Sequence, residues 1–204
     1  MVSKMNINDI EKPEDVPQDF DTVIRAIFEK QKEIALKYAE IEGMGDLLQT
    51  IDTNVDTAKG QKWIKDFAWR VTEELAEAFE SIDHRDHFVE ELIDGLHFLT
   101  ELSIIANFPL EKIDEENLNI HGYRFRDDAW TIVYNLGLMC NCLKNKPWKQ
   151  SQMLTDRIKF ENLLRHVWFE YLSLLKSFNL SYGDIFIYYF KKNEVNKFRI
   201  RSKY

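Results

Sequence analysis

The sequence predicts an all-α fold, a single bundle of about six helices. Glycine (7 residues) and proline (4 residues) are scarce among 204 residues, whereas a β-sandwich or barrel needs many turns. Apolar residues recur with helical spacing over long segments, and the strict alternation typical of strands is nearly absent. Hydrophobic residues make up 45% of the chain, which is enough for a core and excludes wholesale disorder.

The N-terminal segment 1–18 is polar and contains two prolines, so it is expected to form an extended arm. Residues 19–204 are expected to form one domain. The first helix is predicted over 21–42, where apolar residues repeat with helical spacing, and Gly43 is expected to end it. A loop should follow as far as residue 58, with a short helical turn at 46–50.

The second and third helices are predicted to form an antiparallel hairpin. The second helix covers about residues 59–82, and its apolar stripe consists of Trp63, Phe67, Val71, Leu75, Ala78 and Ile82. Asp83 is expected to cap the third helix, which extends to about residue 106. A link this short places the two helices side by side.

The remaining elements are three further helices. Residues 107–126 form the longest connector, with one helical turn expected near 111–116. The fourth helix is predicted over 127–143 and the fifth over 155–178. The sixth begins with Ser181 and Asp184, a capping box with Asp in place of the usual Glu, and continues into a basic end.

Several classes of protein are excluded by composition. No apolar run approaches the roughly 20 residues of a membrane span, and the N-terminus has no apolar signal core. Two cysteines, Cys140 and Cys142, cannot build a disulfide framework, so a reducing cytoplasm is the expected location. The net charge of −8 argues against generic nucleic-acid binding and against a nucleic-acid partner.

The charge is unevenly distributed along the chain. Residues 191–204 contain six basic residues and one acid, which leaves a net charge of −13 on the first 190 residues. One interpretation is a solvated helix end, because cations are favourable near a helix C-terminus. The other is a binding site for an anion such as a polyphosphate.

Two acidic pairs carry the most informative chemistry. Glu74 and Glu77 lie three residues apart on the second helix, as do Glu91 and Asp94 on the third, so each pair shares one helical face. In the hairpin the two pairs can face each other beside the apolar stripes. Either they are ordinary solvated faces, or their mutual repulsion is neutralised by a hard cation such as Mg²⁺, which prefers oxygen ligands. Mg²⁺ would suit a polyphosphate substrate.

The order of these motifs resembles a known family. Glu-Glu-x-x-Glu followed by Glu91-Leu-Ile-Asp94-Gly-Leu-His97-Phe98 is similar to the all-α nucleoside triphosphate pyrophosphohydrolases of the MazG and dimeric dUTPase superfamily, including the phage dCTPase-dUTPases. The C-terminal segment is similar to the family ending Lys-Asn-x-x-Asn-x-x-Arg-Gln-x-x-Gly-Tyr. The matching residues are Lys192, Asn193, Asn196, Arg199 and Tyr204. Ile200 and Lys203 depart from this ending.

The resemblance implies roles residue by residue. Glu74, Glu77, Glu91 and Asp94 would bind Mg²⁺, with Glu74 also orienting the attacking water. Phosphates would be held by Lys192, Asn196, Arg199 and Tyr204. Glu73, His97 and Asn193 would support these groups, His97 as the partner of a carboxylate. Trp69 is expected in the core or in the wall of the site.

The sequence gives a weaker indication of the residues that select the base. Gln31 on the first helix is the best match to the residue that reads the pyrimidine edge in this family, and a flipping amide could pair with uracil or cytosine. A Trp that often follows the first acidic motif of dimeric dUTPases is missing between Glu77 and Trp130. The resemblance thus implies a homodimeric, Mg²⁺-dependent enzyme that hydrolyses dUTP to dUMP and pyrophosphate. The alternatives are a dCTPase or dual dCTPase-dUTPase, or a non-catalytic helical interaction module.

Overall fold

A computed structural model describes residues 5–120, 124–144 and 155–202 of the chain. Within these ranges the protein consists of six α-helices and three short 3₁₀-helices, without a strand. The all-α prediction is therefore confirmed. The α-helices are α1 (Phe20–Glu42), α2 (Ala58–Glu80), α3 (Arg85–Ile105), α4 (Phe125–Cys142), α5 (Arg157–Ser177) and α6 (Tyr182–Ser202).

Local capping explains where several helices begin and end. The Asp19 side chain accepts a hydrogen bond of 2.9 Å from the Thr22 amide at the start of α1, and Gly43 ends that helix in the left-handed conformation, with φ of 72°. The predicted capping box of α6 is present, since the Asp184 carboxylate accepts from the Ser181 amide at 2.9 Å, and Ser181 Oγ accepts from the Asp184 amide at 3.0 Å.

The predicted cap of α3 is wrong. His84, not Asp83, stands at the N-cap of α3, and no side chain caps that end. The His84 amide donates 2.8 Å to the Ser81 carbonyl, and this turn leaves Asp83 one residue too early to reach the first turn of α3.

The helices pack as neighbouring pairs around α3. The predicted hairpin of α2 and α3 is present, α4 pairs with α5, and α1 pairs with α6. Helix α3 also contacts α1, α5 and α6, and for this reason it is buried on nearly all sides. Trp168 of α5 is fully buried and stacks on Phe28 of α1.

The connections contain little regular structure. Hydrogen-bonded turns occupy the predicted position at 46–50, and the 107–126 connector holds two 3₁₀-helices, Leu110–Lys112 and Glu115–Asn117, where one turn was predicted. In the arm, the 3₁₀-helix Ile7–Asp9 packs against α6. Across the described ranges, every helix is too short or too polar to cross a membrane.

Candidate active site

Three carboxylates from the hairpin meet at one point. Glu74 of α2 and Glu91 and Asp94 of α3 each offer an oxygen, and these oxygens all lie within 4.8 Å of one another. The i, i+3 spacing on α3 and the antiparallel packing against α2 create this arrangement. Glu91 is buried, and Glu74 and Asp94 are half-buried.

Burial and mutual repulsion make this cluster costly to ionise. Burial, the charges of Asp94, Glu91 and Glu77 and a hydrogen bond with Glu91 together raise the pKa of Glu74 to about 8. Burial also raises the pKa of Asp94 to about 6, although Lys192 opposes this shift. A divalent cation would relieve the same repulsion, and an all-oxygen ligand set is the one that Mg²⁺ prefers. The residues present therefore fit a hard divalent cation.

Two other acids predicted for this region lie outside the group. Glu77 is exposed one turn further along α2, although its charge still reaches Glu74. Glu73, expected to support the ligands, is exposed and accepts a hydrogen bond of 2.8 Å from Trp69 Nε1. Trp69 itself is 62% exposed, so the prediction that it lies in the core or wall is wrong.

Basic side chains hold two of the three carboxylates. Lys192 of α6, predicted to bind phosphate, is buried, with its Nζ 2.5 Å from Asp94 Oδ2 and 2.7 Å from Glu90 Oε1. His87 Nδ1 lies 2.9 Å from Glu91 Oε1, one helical turn away on α3. His87 thus makes the carboxylate contact that the sequence suggested for His97.

A cavity of about 240 Å³ opens beside the cluster. It is lined by Gln31, Tyr38, Glu42, Phe67, Arg70, Glu74, Asp94, His97, Phe98, Glu101, Asn196 and Arg199. The cavity therefore joins two predicted metal ligands to two of the predicted phosphate-binding residues, Asn196 and Arg199. Tyr204, the last residue of that set, lies outside the described residues.

A buried hydrogen-bond network surrounds Gln31. The amide oxygen accepts from the Tyr189 hydroxyl at 2.6 Å and from His97 Nδ1 at 2.8 Å, while Nε2 donates 2.7 Å to Glu101 Oε2. With the amide in this orientation its oxygen accepts, and Nδ1 of His97 carries the proton. The His97 ring also stacks on Tyr189, with centroids 3.8 Å apart.

These contacts revise the supporting roles that were expected of His97 and Asn193. His97 pairs with an amide and not with a carboxylate, because its ring points from α3 toward α1 and α6. Burial lowers the pKa of His97 to about 3, so the ring is neutral. Asn193, the remaining supporting residue, is fully buried and donates 3.0 Å to the Lys30 carbonyl, which joins α6 to α1.

Sequence reasoning missed part of the cavity wall. Phe67 and Phe98 form an aromatic side, and the Arg70 guanidinium lies 4.8 Å and 5.5 Å from their ring centroids. Glu42 accepts from Arg70 and holds it there. Phe98 stands in the quoted acidic motif, but an aromatic residue on an amphipathic helix is normally assigned to the core. Glu101 also gave no signal, although it lies seven residues after Asp94 on the same face of α3.

The described helices form an all-α bundle with a carboxylate cluster on a helical hairpin, and the cluster borders a cavity lined by two amides, two arginines and aromatic rings. This set of side chains fits the class of helical proteins that bind a hard cation beside an anionic ligand. A family model described as dUTPase matches residues 24–204. The chain therefore belongs to the dUTPase family, and the resemblance to the dimeric dUTPases is confirmed. Searches of curated proteins and of solved structures gave no match. The family supports dUTP diphosphatase-type activity, the hydrolysis of a nucleoside triphosphate, at the family level.

Proposed function

We propose that this protein is a Mg²⁺-dependent dUTP diphosphatase, which hydrolyses dUTP to dUMP and pyrophosphate. The observation that carries the proposal is the convergence of Glu74, Glu91 and Asp94 beside a cavity that also contains Asn196 and Arg199. Carboxylates for a cation and donors for phosphates are the two halves of a nucleotide site. The family match supports the same reaction.

Glu74, Glu91 and Asp94 would hold the metal, and Glu77, exposed one turn further along α2, would be a fourth ligand. When bound, Mg²⁺ supplies positive charge to the phosphates and makes a nearby water more acidic. Lys192 and His87 keep Asp94 and Glu91 oriented toward the cluster.

Individual side chains would accept the proton of the attacking water and bind the nucleotide. Glu74, whose pKa is raised, is suited to accept a proton from the attacking water at its carboxylate. Arg199 and Asn196 donate hydrogen bonds to phosphate oxygens from α6. Phe67 and Phe98 provide the apolar wall for the base and sugar, and Gln31 lies at the base-reading end.

The spacing along α3 supports this orientation. Asp94 at the metal end and Glu101 beside Gln31 are seven residues apart, which is about 10 Å along a helix. This span is comparable to that between the base edge and the phosphate chain of a nucleotide. A single helix can thus serve both ends of the substrate.

The testing experiment is pyrophosphate release from dUTP, dCTP, dTTP, dATP, dGTP and UTP, with Mg²⁺ and with EDTA. We expect metal-dependent release from dUTP and a loss of at least about 100-fold in Glu74→Gln, with turnover unchanged in the exposed control Glu40→Gln. Release from purine nucleotides alone would contradict the pyrimidine assignment. Failure to release pyrophosphate from any of them would favour a helical interaction module.

We also propose a cytoplasmic homodimer. Phe79, Trp130 and Tyr134 are large apolar residues exposed on α2 and α4, and a mostly apolar groove of about 300 Å³ lies between these helices. An exposed aromatic patch of this kind is typical of a protein interface. Sedimentation of the protein and of Trp130→Glu tests the dimer, since the variant should be monomeric.

Two free thiols, Cys140 and Cys142, fit the proposed cytoplasmic location.

A further inference from the structure

Asp94 is shared between two groups of charges on α3. Glu91 lies three residues before it and belongs with it to the carboxylate cluster, whereas Glu90 lies four residues before it. Since each residue of a helix turns by about 100°, Asp94 stands between Glu90 and Glu91 around the helix axis. Asp94 therefore links the proposed metal ligands to an acidic residue that is no member of the cluster.

Lys192 of α6 bridges Asp94 and Glu90. Its Nζ lies 2.5 Å from Asp94 Oδ2 and 2.7 Å from Glu90 Oε1, and the lysine side chain is only 6% exposed. Like charges four residues apart on a helix repel each other, so the ammonium group offsets a repulsion that α3 itself creates. Lys192 is not among the described residues that line the cavity, although Asn196 and Arg199 of the same helix are. Its ammonium group thus serves the two carboxylates and is not part of the cavity wall.

A cation held by Glu74, Glu91 and Asp94 would share Asp94 with this ammonium group. Both are positively charged, and the repulsion between them grows as they approach the same carboxylate. A buried ammonium group is costly unless a hydrogen-bonded carboxylate stays beside it, so Lys192 needs a second acceptor when Asp94 binds a cation. The Glu90 carboxylate is already within hydrogen-bond distance and meets this need.

We infer that Glu90 is a positioning residue for cation binding, which holds the Lys192 ammonium group so that Asp94 can give an oxygen to Mg²⁺. This inference rests on the metal site of the proposed function. Glu90 itself would not touch the cation, because it lies outside the group of carboxylates within 4.8 Å of one another and because its carboxylate accepts from Lys192. Partners of metal ligands commonly affect metal affinity in this indirect way.

Calorimetric titration with Mg²⁺ tests this role without turnover. We expect Glu90→Gln to weaken Mg²⁺ binding about tenfold, because the ammonium group then keeps Asp94 as its carboxylate and competes with the cation for it. Glu73→Gln is the matched control. It removes the same charge from the residue directly before the ligand Glu74, and Glu73 accepts from Trp69. The control should weaken Mg²⁺ binding less than about threefold, and equal losses in the two variants would overturn the inference.

A variant that keeps the charge separates direct contact from long-range attraction. Glu90→Asp preserves the negative charge but shortens the side chain, so that its carboxylate no longer reaches Lys192 at the observed 2.7 Å. If Glu90 acts through Lys192, Glu90→Asp should lose nearly as much Mg²⁺ affinity as Glu90→Gln. Wild-type affinity in Glu90→Asp would mean that the charge alone is sufficient, and the positioning role would be wrong.

Chemical labelling of lysine gives a measurement on the wild type, in case the Glu90 variants do not fold. Acetic anhydride modifies accessible amines, and mass spectrometry compares Lys192 with its half-buried neighbour Lys191. We expect Lys192 to stay protected in the wild type at saturating Mg²⁺, because Glu90 retains the ammonium group. In Glu90→Gln the same addition should make Lys192 several-fold more reactive. Increased labelling of wild-type Lys192 on addition of Mg²⁺ would contradict the role of Glu90.

This role and the proposed function can fail separately. If Mg²⁺ binds and the Glu90 variants behave as expected while no triphosphate is hydrolysed, the proposed function fails and the role of Glu90 stands. If dUTP is hydrolysed with Mg²⁺ while Glu90→Gln binds the cation as the wild type does, the proposed function stands and the role of Glu90 fails. A wild type that binds no Mg²⁺ would overturn the metal site on which both rest.

Discussion

Lys192 Nζ lies 2.5 Å from Asp94 Oδ2, so a lysine of α6 neutralises a carboxylate that faces the predicted metal site on α3. Asp94 raises the pKa of Lys192, as do hydrogen bonds to Asp94 and Glu90, against the opposing effect of burial. The ammonium group therefore holds the last helix against the hairpin while part of the local negative charge is compensated.

Removal of this ammonium should destabilise the protein. Lys192→Met leaves Asp94 and Glu90 without their cation, and breaking a buried pair from one side costs about 3–5 kcal/mol. Urea denaturation without metal measures the free energy of unfolding. Lys191→Met, at the neighbouring half-buried position, is the matched control and should change stability by less than about 1 kcal/mol. Equal stability of the two variants would contradict this account.

The stability of the metal-free protein should fall as the pH rises from about 5 to about 8. Burial raises the pKa of Asp94 to about 6, of Glu101 to about 7 and of Glu74 to about 8. A group whose pKa is higher in the folded state stabilises the fold below its unfolded pKa and loses this contribution as the pH passes the folded value.

Glu101 alone accounts for a decrease on the order of 3 kcal/mol in the free energy of unfolding over this pH range, since its pKa rises from 4.5 to about 7. Urea titrations at about pH 5, 6, 7 and 8 measure the slope, which should be smaller in Glu101→Gln. A free energy of unfolding that stays constant over this range would rule out the buried carboxyls as its source.

Mg²⁺ should stabilise the protein more at about pH 8 than at about pH 6. Protons compete with the cation for Glu74 and Asp94, and ligand stabilisation grows with affinity. Thermal unfolding with and without Mg²⁺ at the two pH values measures this difference. Glu74→Gln should abolish most of the Mg²⁺-induced shift, and an unchanged shift in that variant would place the cation elsewhere.

Glu74 and Glu77 should not be equivalent. Glu74 belongs to the group of oxygens within 4.8 Å, whereas Glu77 is exposed outside it. Glu74→Gln should therefore lower kcat/KM for dUTP about tenfold or more beyond the loss in Glu77→Gln. Steady-state pyrophosphate release measures both variants, with circular dichroism as a check of folding. A larger loss in Glu77→Gln would indicate that Glu77 is the closer ligand.

Gly95 should tolerate no side chain. An added Cβ would lie 2.1 Å from the Tyr171 hydroxyl and 3.3 Å from Glu74 Cβ, at the point where α2, α3 and α5 meet. The Tyr171 hydroxyl donates 2.8 Å to the Leu92 carbonyl, and Gly95→Ala would displace it. We expect a loss of about 1–3 kcal/mol in the free energy of unfolding. Gly137→Ala is the control, because a Cβ there meets no atom within 4 Å.

Much of the fold could be predicted from the sequence, because helical periodicity is a local property. The stripe from Trp63 to Ile82 and the short link after it were sufficient to predict the α2–α3 hairpin. That hairpin, together with i, i+3 spacing, brought Glu74, Glu91 and Asp94 together. Asp83 does not cap α3, because the turn that begins at Ser81 places the N-cap one residue later, at His84.

The proposed base-reading end, around Gln31, could not be predicted in the same way. The contacts of Gln31 with Glu101, His97 and Tyr189 join three helices, so they depend on how α1, α3 and α6 are rotated against one another. Packing of the whole core fixes those rotations, and no local spacing encodes them. The resemblance could suggest Gln31, but Glu101 emerged only from its burial and from its Oε1, which has no hydrogen-bond partner within the described residues.

The α6 helix contributes to both ends of the cavity through residues spaced three or four apart. Tyr189 supports Gln31, Lys192 holds Asp94, and Asn196 and Arg199 line the wall between them. Insertion or deletion of one residue between the Ser181 cap and Tyr189 would turn all four side chains by about 100° around the helix axis. The length of this segment is therefore as tightly constrained as the identity of its side chains, and a change of length would disrupt both ends of the proposed nucleotide site in a single step.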